Sequence, residues 1–190
     1  MPLKQLGHGK DLSSCKDINK IKIRINIMII EKEIVVNKGI ENAWKVLGTE
    51  FANAYKWASA INHSEGKGAG FNGATCSERG CSTTMGGLKE KLLQFSNENH
   101  SLSYLAYEGM PSVVKNAVNS WQLQSLGAKE SKLQMKMDIK LGGFMGIMMQ
   151  PMMKMMMSKM GNELMEEFKY YVETGQPHPR KVKAMKKYKG

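Results

Sequence analysis

Three groups of residues have types and spacings that could do chemistry. Gly68-x-Gly70-x-x-Gly73 formally matches the glycine fingerprint of dinucleotide-binding loops. That fingerprint works only after a strand and at the opening of a helix, where backbone amides meet a pyrophosphate. Here the pattern before it is helical and the pattern after it is strand-like, so a tight loop is expected and nucleotide binding is not. Cys76 and Cys81 flank a turn. Zinc would require two more ligands, and only His63 and His100 stand within plausible range, so free thiols are expected, with no metal and no cofactor. The third group comprises Glu78, Arg79, Glu90, Tyr104, Tyr107 and Glu108, on or beside strand-like runs. A carboxylate, phenol or guanidinium is what acid–base work on an enolisable ligand needs. No Gly-x-Ser-x-Gly elbow and no Cys/His pairing supports acyl transfer.

A fourth feature is a matter of number. Ten of the 17 methionines fall between Met145 and Met165. The stripe Met149, Met153, Met156, Met160, Leu164, Phe168, Tyr171 advances in steps of three and four, as a helix burying one face requires. Met148, Met152 and Met155 add an apolar face that core packing does not need. Methionine is unbranched and polarisable and suits surfaces that accept variable apolar shapes. This face is therefore expected to meet a ligand, a membrane or a second subunit.

The elements that must position these residues follow from periodicity. Ile21, Ile23, Ile25, Ile27 and Ile29 alternate with other residues, predicting a long strand to Val36 with the odd isoleucines buried. Ile40, Ala43, Trp44 and Leu47 predict a short helix ended by Gly48. Phe51, Ala54, Tyr55 and Ala58 predict a second. Strand-like runs then span residues 74–78, 88–95, 102–107, 113–126 and 132–141, separated by turn residues with no helix between them. Such spacing argues an antiparallel meander. Asn116 and Asn119 fall on opposite faces of one strand, so at most one points inward. A long helix is expected from Pro151 to about Thr174, with Pro151 at its first turn or at a kink, stopped by Gly175 and Pro177.

The formal charge of +11 is uneven. Residues 1–22 carry +3, residues 176–190 carry +6 with no acid, and the 153 residues between carry +2. A nucleic-acid-binding fold clusters basic residues on a structured face, often with aromatics. Here the charge sits at the ends, so nucleic acid is not an expected partner. The organisation read from this is a flexible leader (1–20), one ligand-binding domain (21–175) and a basic carboxy-terminal tail (176–190). A solvated tail is the simplest reading, with attraction to an anionic membrane surface as the alternative. No apolar stretch reaches the roughly 20 residues of a membrane span, the amino terminus lacks a signal-peptide core, and three cysteines suit a reducing compartment. A cytoplasmic location is expected.

The order of elements makes an α+β fold. In that order the chain resembles the START and birch-pollen-allergen superfamily, and within it the polyketide cyclase/dehydrase and lipid-transport family. The likeness is carried by residues 33–47 with Trp44 and Leu47, by Trp57, by Gly68–Thr75, by Gly87–Phe95 with Leu102, Tyr104, Glu108 and Gly109, and by the final helix ending in Glu167–Val172. It spans roughly residues 29–175. The resemblance implies a helix-grip: a curved antiparallel sheet of six to seven strands wrapped around a long C-terminal helix, with two short helices after the first strand. It also implies an elongated apolar cavity, with the glycine loop at its mouth. Trp57, Tyr104, Asn116, Trp121, Met148, Met149, Met152, Met153 and Met156 are the candidate lining residues. Three functions compete: binding, or transport, of a lipid, polyketide or isoprenoid; cyclisation or dehydration of such a molecule; and peripheral membrane association through the methionine-rich helix and basic tail.

Overall fold

The computed structural model describes residues 26–189. The leader and Ile21, Ile23 and Ile25 of the expected first strand lie outside the described residues. Seven strands form one antiparallel sheet in the order β1-β7-β6-β5-β4-β3-β2. They are β1 (Asn26–Val36), β2 (Ile61–Lys67), β3 (Glu78–Thr83), β4 (Gly86–Ser96), β5 (Ser101–Glu108), β6 (Val114–Gly127) and β7 (Glu130–Leu141). Between β1 and β2 lie helix α1 (Ile40–Trp44), a π-turn (Lys45–Thr49) and a 3-10 segment (Phe51–Lys56). Helix α2 (Gly143–Thr174) and helix α3 (Pro179–Lys189) follow the sheet. This is the α+β fold that the order of elements implied, in the helix-grip form that the resemblance implied.

β1 inverts the expected parity. Met28, Ile30 and Val36 are buried, whereas Ile27 and Ile29 are about half exposed, at 50% and 45%. The register explains it. Met28 pairs with Ile139 and Ile30 with Met137, both on the buried row of β7, while Ile27 pairs with Lys140 and Ile29 with Asp138. Glu31 and Glu33 share the parity of Ile27 and Ile29, and two carboxylates mark that row as the solvent face.

β2 was not expected, because Ile-Asn-His-Ser-Glu-Gly-Lys shows no apolar alternation and only Ser64 is buried. It is an edge strand, held by its ladder with β3. The run expected at 74–78 is instead loop, and β3 begins at Glu78.

Helix α2 starts at Gly143, eight residues before Pro151, which sits inside it. A proline there removes one N–H from the helical ladder without ending the helix. Gly175 terminates α2 in a left-handed conformation (φ 72°), its N–H bonding the Tyr171 carbonyl at 2.8 Å. Met153, Met165, Phe168 and Val172 are the apolar side chains that α2 buries against the sheet. Phe168 is fully buried, and such burial stabilises by about 1.5–3 kcal/mol. Polar ties fix the helix along β1: Lys32 Nζ donates to Ser158 Oγ (2.9 Å), Lys169 Nζ to the Val35 carbonyl (2.8 Å), and the Asn37 N–H to Glu173 Oε1 (2.7 Å).

The basic stretch after Gly175, expected to be solvated throughout, is mostly helical and partly docked. Lys181 is 1% exposed and donates to the Ile61 carbonyl at 2.6 Å. Burial lowers its pKa, and Glu167 opposes that shift. Arg180 pairs with Glu166 at 2.7 Å.

Candidate functional site

Between the sheet and the short helical segments is a cavity of about 40 Å³. Phe51, Ala54, Trp57, Ala58 and Ile61 form one wall, Arg79, Leu102, Tyr104 and Trp121 the sheet wall, and Leu164 the contribution of α2. That is room for a few water molecules, well below the 300–1,000 Å³ typical of small-molecule sites. Between these elements the space is therefore a small, mostly apolar chamber and not an elongated cavity; a larger recess of about 810 Å³, with polar residues such as Gln94, Gln122 and Gln134 in its lining, is open to solvent.

Its polar end is built by adjacent strands. Arg79 on β3 and Glu90 on β4 are directly paired across the ladder, and both side chains are buried. Arg79 Nη2 lies 2.6 Å from Glu90 Oε2, and Arg79 Nε donates to the same oxygen at 2.7 Å. Arg79 Nη1 donates to the Phe51 carbonyl at 2.7 Å, which ties the sheet to the 3-10 segment. The guanidinium carbon sits 4.1 Å from the Phe51 ring centre and 5.3 Å from that of Tyr104, so the cation also has aromatic faces around it. Burial alone would disfavour its charge, but Glu90, Tyr104 and Cys81 more than offset that and raise its pKa.

Burial raises the Tyr104 phenol well above its ordinary value, and Glu90 adds to the shift; Arg79 and a hydrogen bond from Trp121 work against it. Tyr104 is thus a proton donor at neutral pH, not a base. The Cys81 thiol donates to Glu90 Oε2 at 3.4 Å, and burial pushes its pKa up to about 12. A thiol so held is no nucleophile.

The candidates from the sequence separate cleanly. Trp57, Tyr104 and Trp121 line the chamber. Of the six possible acid–base residues, Arg79 and Tyr104 line it, and Glu90 stands behind Arg79 as its ion-pair partner. The other three lie away from it: Tyr107 donates to Glu78 Oε2 at 3.1 Å, and Glu108 pairs with Lys89 at 2.7 Å, near or at the surface. Asn116 pairs with Lys140 one position before the buried Ala117–Ile139 pair, which puts it on the outer row. Met153 is buried and Met149 packs on the core, but neither borders the chamber. Met148, Met152 and Met156 are exposed, at 60%, 57% and 53%. Sequence reasoning missed Phe51 and Leu164 as lining residues. Leu164 belonged to the expected buried stripe, and only its place in the chamber lining singles it out.

The glycine loop has a packing role. A Cβ at Gly73 would meet the Asn97 side chain at 2.1 Å, and Asn97 Oδ1 accepts the Trp44 indole N–H at 2.8 Å. The loop thus packs against a structural tryptophan. Among the described residues, no three His, Cys, Asp or Glu side chains converge as metal ligands, and no helix is long and apolar enough to cross a membrane.

Solved structures of the same shape place this geometry in context. A START superfamily protein from Mycobacterium smegmatis superposes with TM-score 0.63 at 14% identity, over 78% of this chain and 99% of its own. The Zhui aromatase/cyclase from Streptomyces sp. R1128 gives TM-score 0.63 at 11% identity, over 80% and 100%. Norcoclaurine synthase from Thalictrum flavum, in complex with dopamine and hydroxybenzaldehyde, gives 0.58 at 15%, over 87% and 95%. Identities this low speak for the fold alone. No curated protein matches the chain by sequence. The family model described as polyketide cyclase/dehydrase and lipid transport matches residues 28–173, so the chain belongs to that family.

Proposed function

We propose that the chain binds a compact, mostly apolar ring compound bearing a ketone or phenol oxygen, with the rings against Trp57, Trp121 and Phe51 and the oxygen toward Tyr104 and Arg79. The observation that carries this reading is the Arg79–Glu90 pair and the Tyr104 phenol at one end of an otherwise apolar chamber. A chamber built only for packing would not hold a charged pair, since burying one is seldom stabilising against apolar residues of similar size. The chamber must enlarge to admit a ligand, and the wall formed by residues 51–58, with Leu164 of α2, is not built from sheet.

A second reading rests on Tyr104. A phenol that keeps its proton, beside a permanent cation, can donate to the oxygen of an enolisable ketone and stabilise the enolate of a cyclisation or dehydration. Those two residues are the ones on which catalysis would depend.

The test is tryptophan-fluorescence titration with 2-acetylnaphthalene, 2-naphthol and naphthalene. Saturable binding of the ketone and phenol, weakened about tenfold in Tyr104→Phe for one lost hydrogen bond, is expected. Equal affinity for naphthalene, or an unaffected Tyr104→Phe, would overturn the assignment of the polar end. Catalysis is read separately, as a change in products from a reactive poly-β-ketone that Tyr104→Phe abolishes.

A further inference from the structure

The first half of α2 turns one apolar face to the protein and another to solvent. Gly146 and Met153 are buried, and Met149 and Met157 pack on the core. On the opposite arc Phe144 is 74% exposed and Met155 71%, and Met145, Ile147, Met148, Met152 and Met156 are each about half exposed or more. At 100° per residue these positions share one broad side of the helix. Isolated exposed apolar residues are ordinary, but seven within thirteen positions of one helix are a contiguous patch that marks a contact.

The charge around the patch says what it contacts. From residue 139 to 162 the chain holds Lys140, Lys154 and Lys159 and no acidic residue. Lys154 and Lys159 are exposed on α2 itself. Lys115 lies across the start of the helix, its side chain against the Gly142 backbone. A second copy of this chain would bring like charges together. The amino-terminal 22 residues carry +3 and do not complement it either. Apart from Lys154 and Lys159, the exposed arc lacks the hydrogen-bonding groups that stud specific protein interfaces. An apolar surface rimmed by lysines, and made of side chains that adapt to a fluid phase, matches an anionic lipid surface.

We propose that the Phe144–Met156 face of α2 docks on anionic membranes, its phenylalanine and methionines entering the headgroup boundary and Lys154 and Lys159 meeting lipid phosphates and carboxylates. The inserting element is α2, not the basic carboxy-terminal helix, where Arg180 and Lys181 are already engaged by Glu166 and the Ile61 carbonyl. Docking is independent of which molecule the chamber holds.

The experiment uses the full chain with phosphatidylcholine vesicles lacking or containing ~30% phosphatidylserine. Flotation should show binding that requires phosphatidylserine and weakens with salt. Met148→Gln/Met152→Gln/Met155→Gln changes only exposed positions, and with an unchanged circular dichroism spectrum it should bind at least about tenfold more weakly. All three natural tryptophans are buried, so Phe144→Trp adds an exposed reporter whose emission should shift to the blue with vesicles. Absence of flotation, full binding by the folded triple variant, or a Phe144→Trp emission that vesicles leave unmoved would each overturn the proposal. So would a dimer in sedimentation that the triple variant dissolves, since that result gives the face to a second copy.

Discussion

Arg79 and Glu90 meet at 2.6 Å across the β3–β4 ladder with both side chains sealed from solvent, so the charged pair of this fold lies inside the chamber wall and not at its rim. The same carboxylate oxygen also accepts from Cys81. Removing one partner leaves the other charge buried without compensation, which costs about 3–5 kcal/mol. Glu90→Gln and Arg79→Met are each expected to lower stability by that amount in urea unfolding. Arg79→Met/Glu90→Leu should recover most of it, because an apolar replacement of both ends carries no desolvation cost. A single variant within about 1 kcal/mol of the parent would mean that water reaches the pair.

The buried thiol and phenol make stability fall at high pH. Cys81 is raised from 9.0 to about 12 in the folded protein, chiefly by burial, and Tyr104 is raised in the same direction by the same cause. A group whose folded pKa is raised contributes stability that is fully present below its unfolded pKa and is lost as pH rises through the folded value. For Cys81 the loss therefore runs from about pH 9 to about 12. The urea midpoint of Cys81→Ser should decline less over that window than the parent's. In Cys15→Ser, Cys76 and Cys81 should stay unreactive to a thiol reagent at pH 8 until denaturant is added, because both are buried.

Gly48 has a packing reason to lack a side chain. A Cβ there would sit 2.5 Å from the Trp44 indole, and that ring is itself held by Asn97 and packed at a tilt 5.2 Å from Phe95. Neither neighbour lets the indole swing away. Gly48→Ala should destabilise by about 1–3 kcal/mol and perturb Trp44 fluorescence. A stable variant with native emission would show that the π-turn Lys45–Thr49 can shift to make room.

These three sites also show what the sequence made legible. Gly48 was visible as the end of a helical period, and its role under Trp44 was not, since a long-range ring contact leaves no local signature. Arg79, Glu90 and Tyr104 were visible as chemistry-bearing residues on strands, but so were Glu78, Tyr107 and Glu108. Which row of a strand faces inward depends on register, and a one-residue slip exchanges the rows. The same ambiguity inverted β1, where isoleucine spacing outweighed the two glutamates that marked the solvent face. The methionines told correctly that α2 carries a second apolar face. They did not tell that this face looks outward, because a helix apolar all round gives no direction. The chamber's small size had no sequence signal at all.

Glu167 is the point where α2 holds the segment before β2 that lines the chamber. Its side chain is buried, Oε2 accepts the Ser59 N–H at 2.8 Å, and Oε1 accepts the Ser59 hydroxyl at 2.6 Å. Arg180 Nη1 stands 3.4 Å from Oε1. Ser59 lies between Ala58 and Ile61, both of which line the chamber, and Ile61 is in turn gripped by Lys181. Replacing the carboxylate removes two acceptors from one short segment while leaving the sheet intact. Glu167→Ala should weaken the hold on this segment by about 3–6 kcal/mol, at roughly 1.5–3 kcal/mol for each lost charge-assisted bond. It should also accelerate amide exchange selectively at residues 57–61, because that segment then opens without unfolding the β6–β7 ladder. If exchange instead rises uniformly across β6, β7 and α2, Glu167 serves the whole core and the wall has no local hinge. If exchange at 57–61 stays at the parent rate, the wall is held by packing of Trp57 against Phe168, whose ring centres lie 5.4 Å apart, and not by the carboxylate.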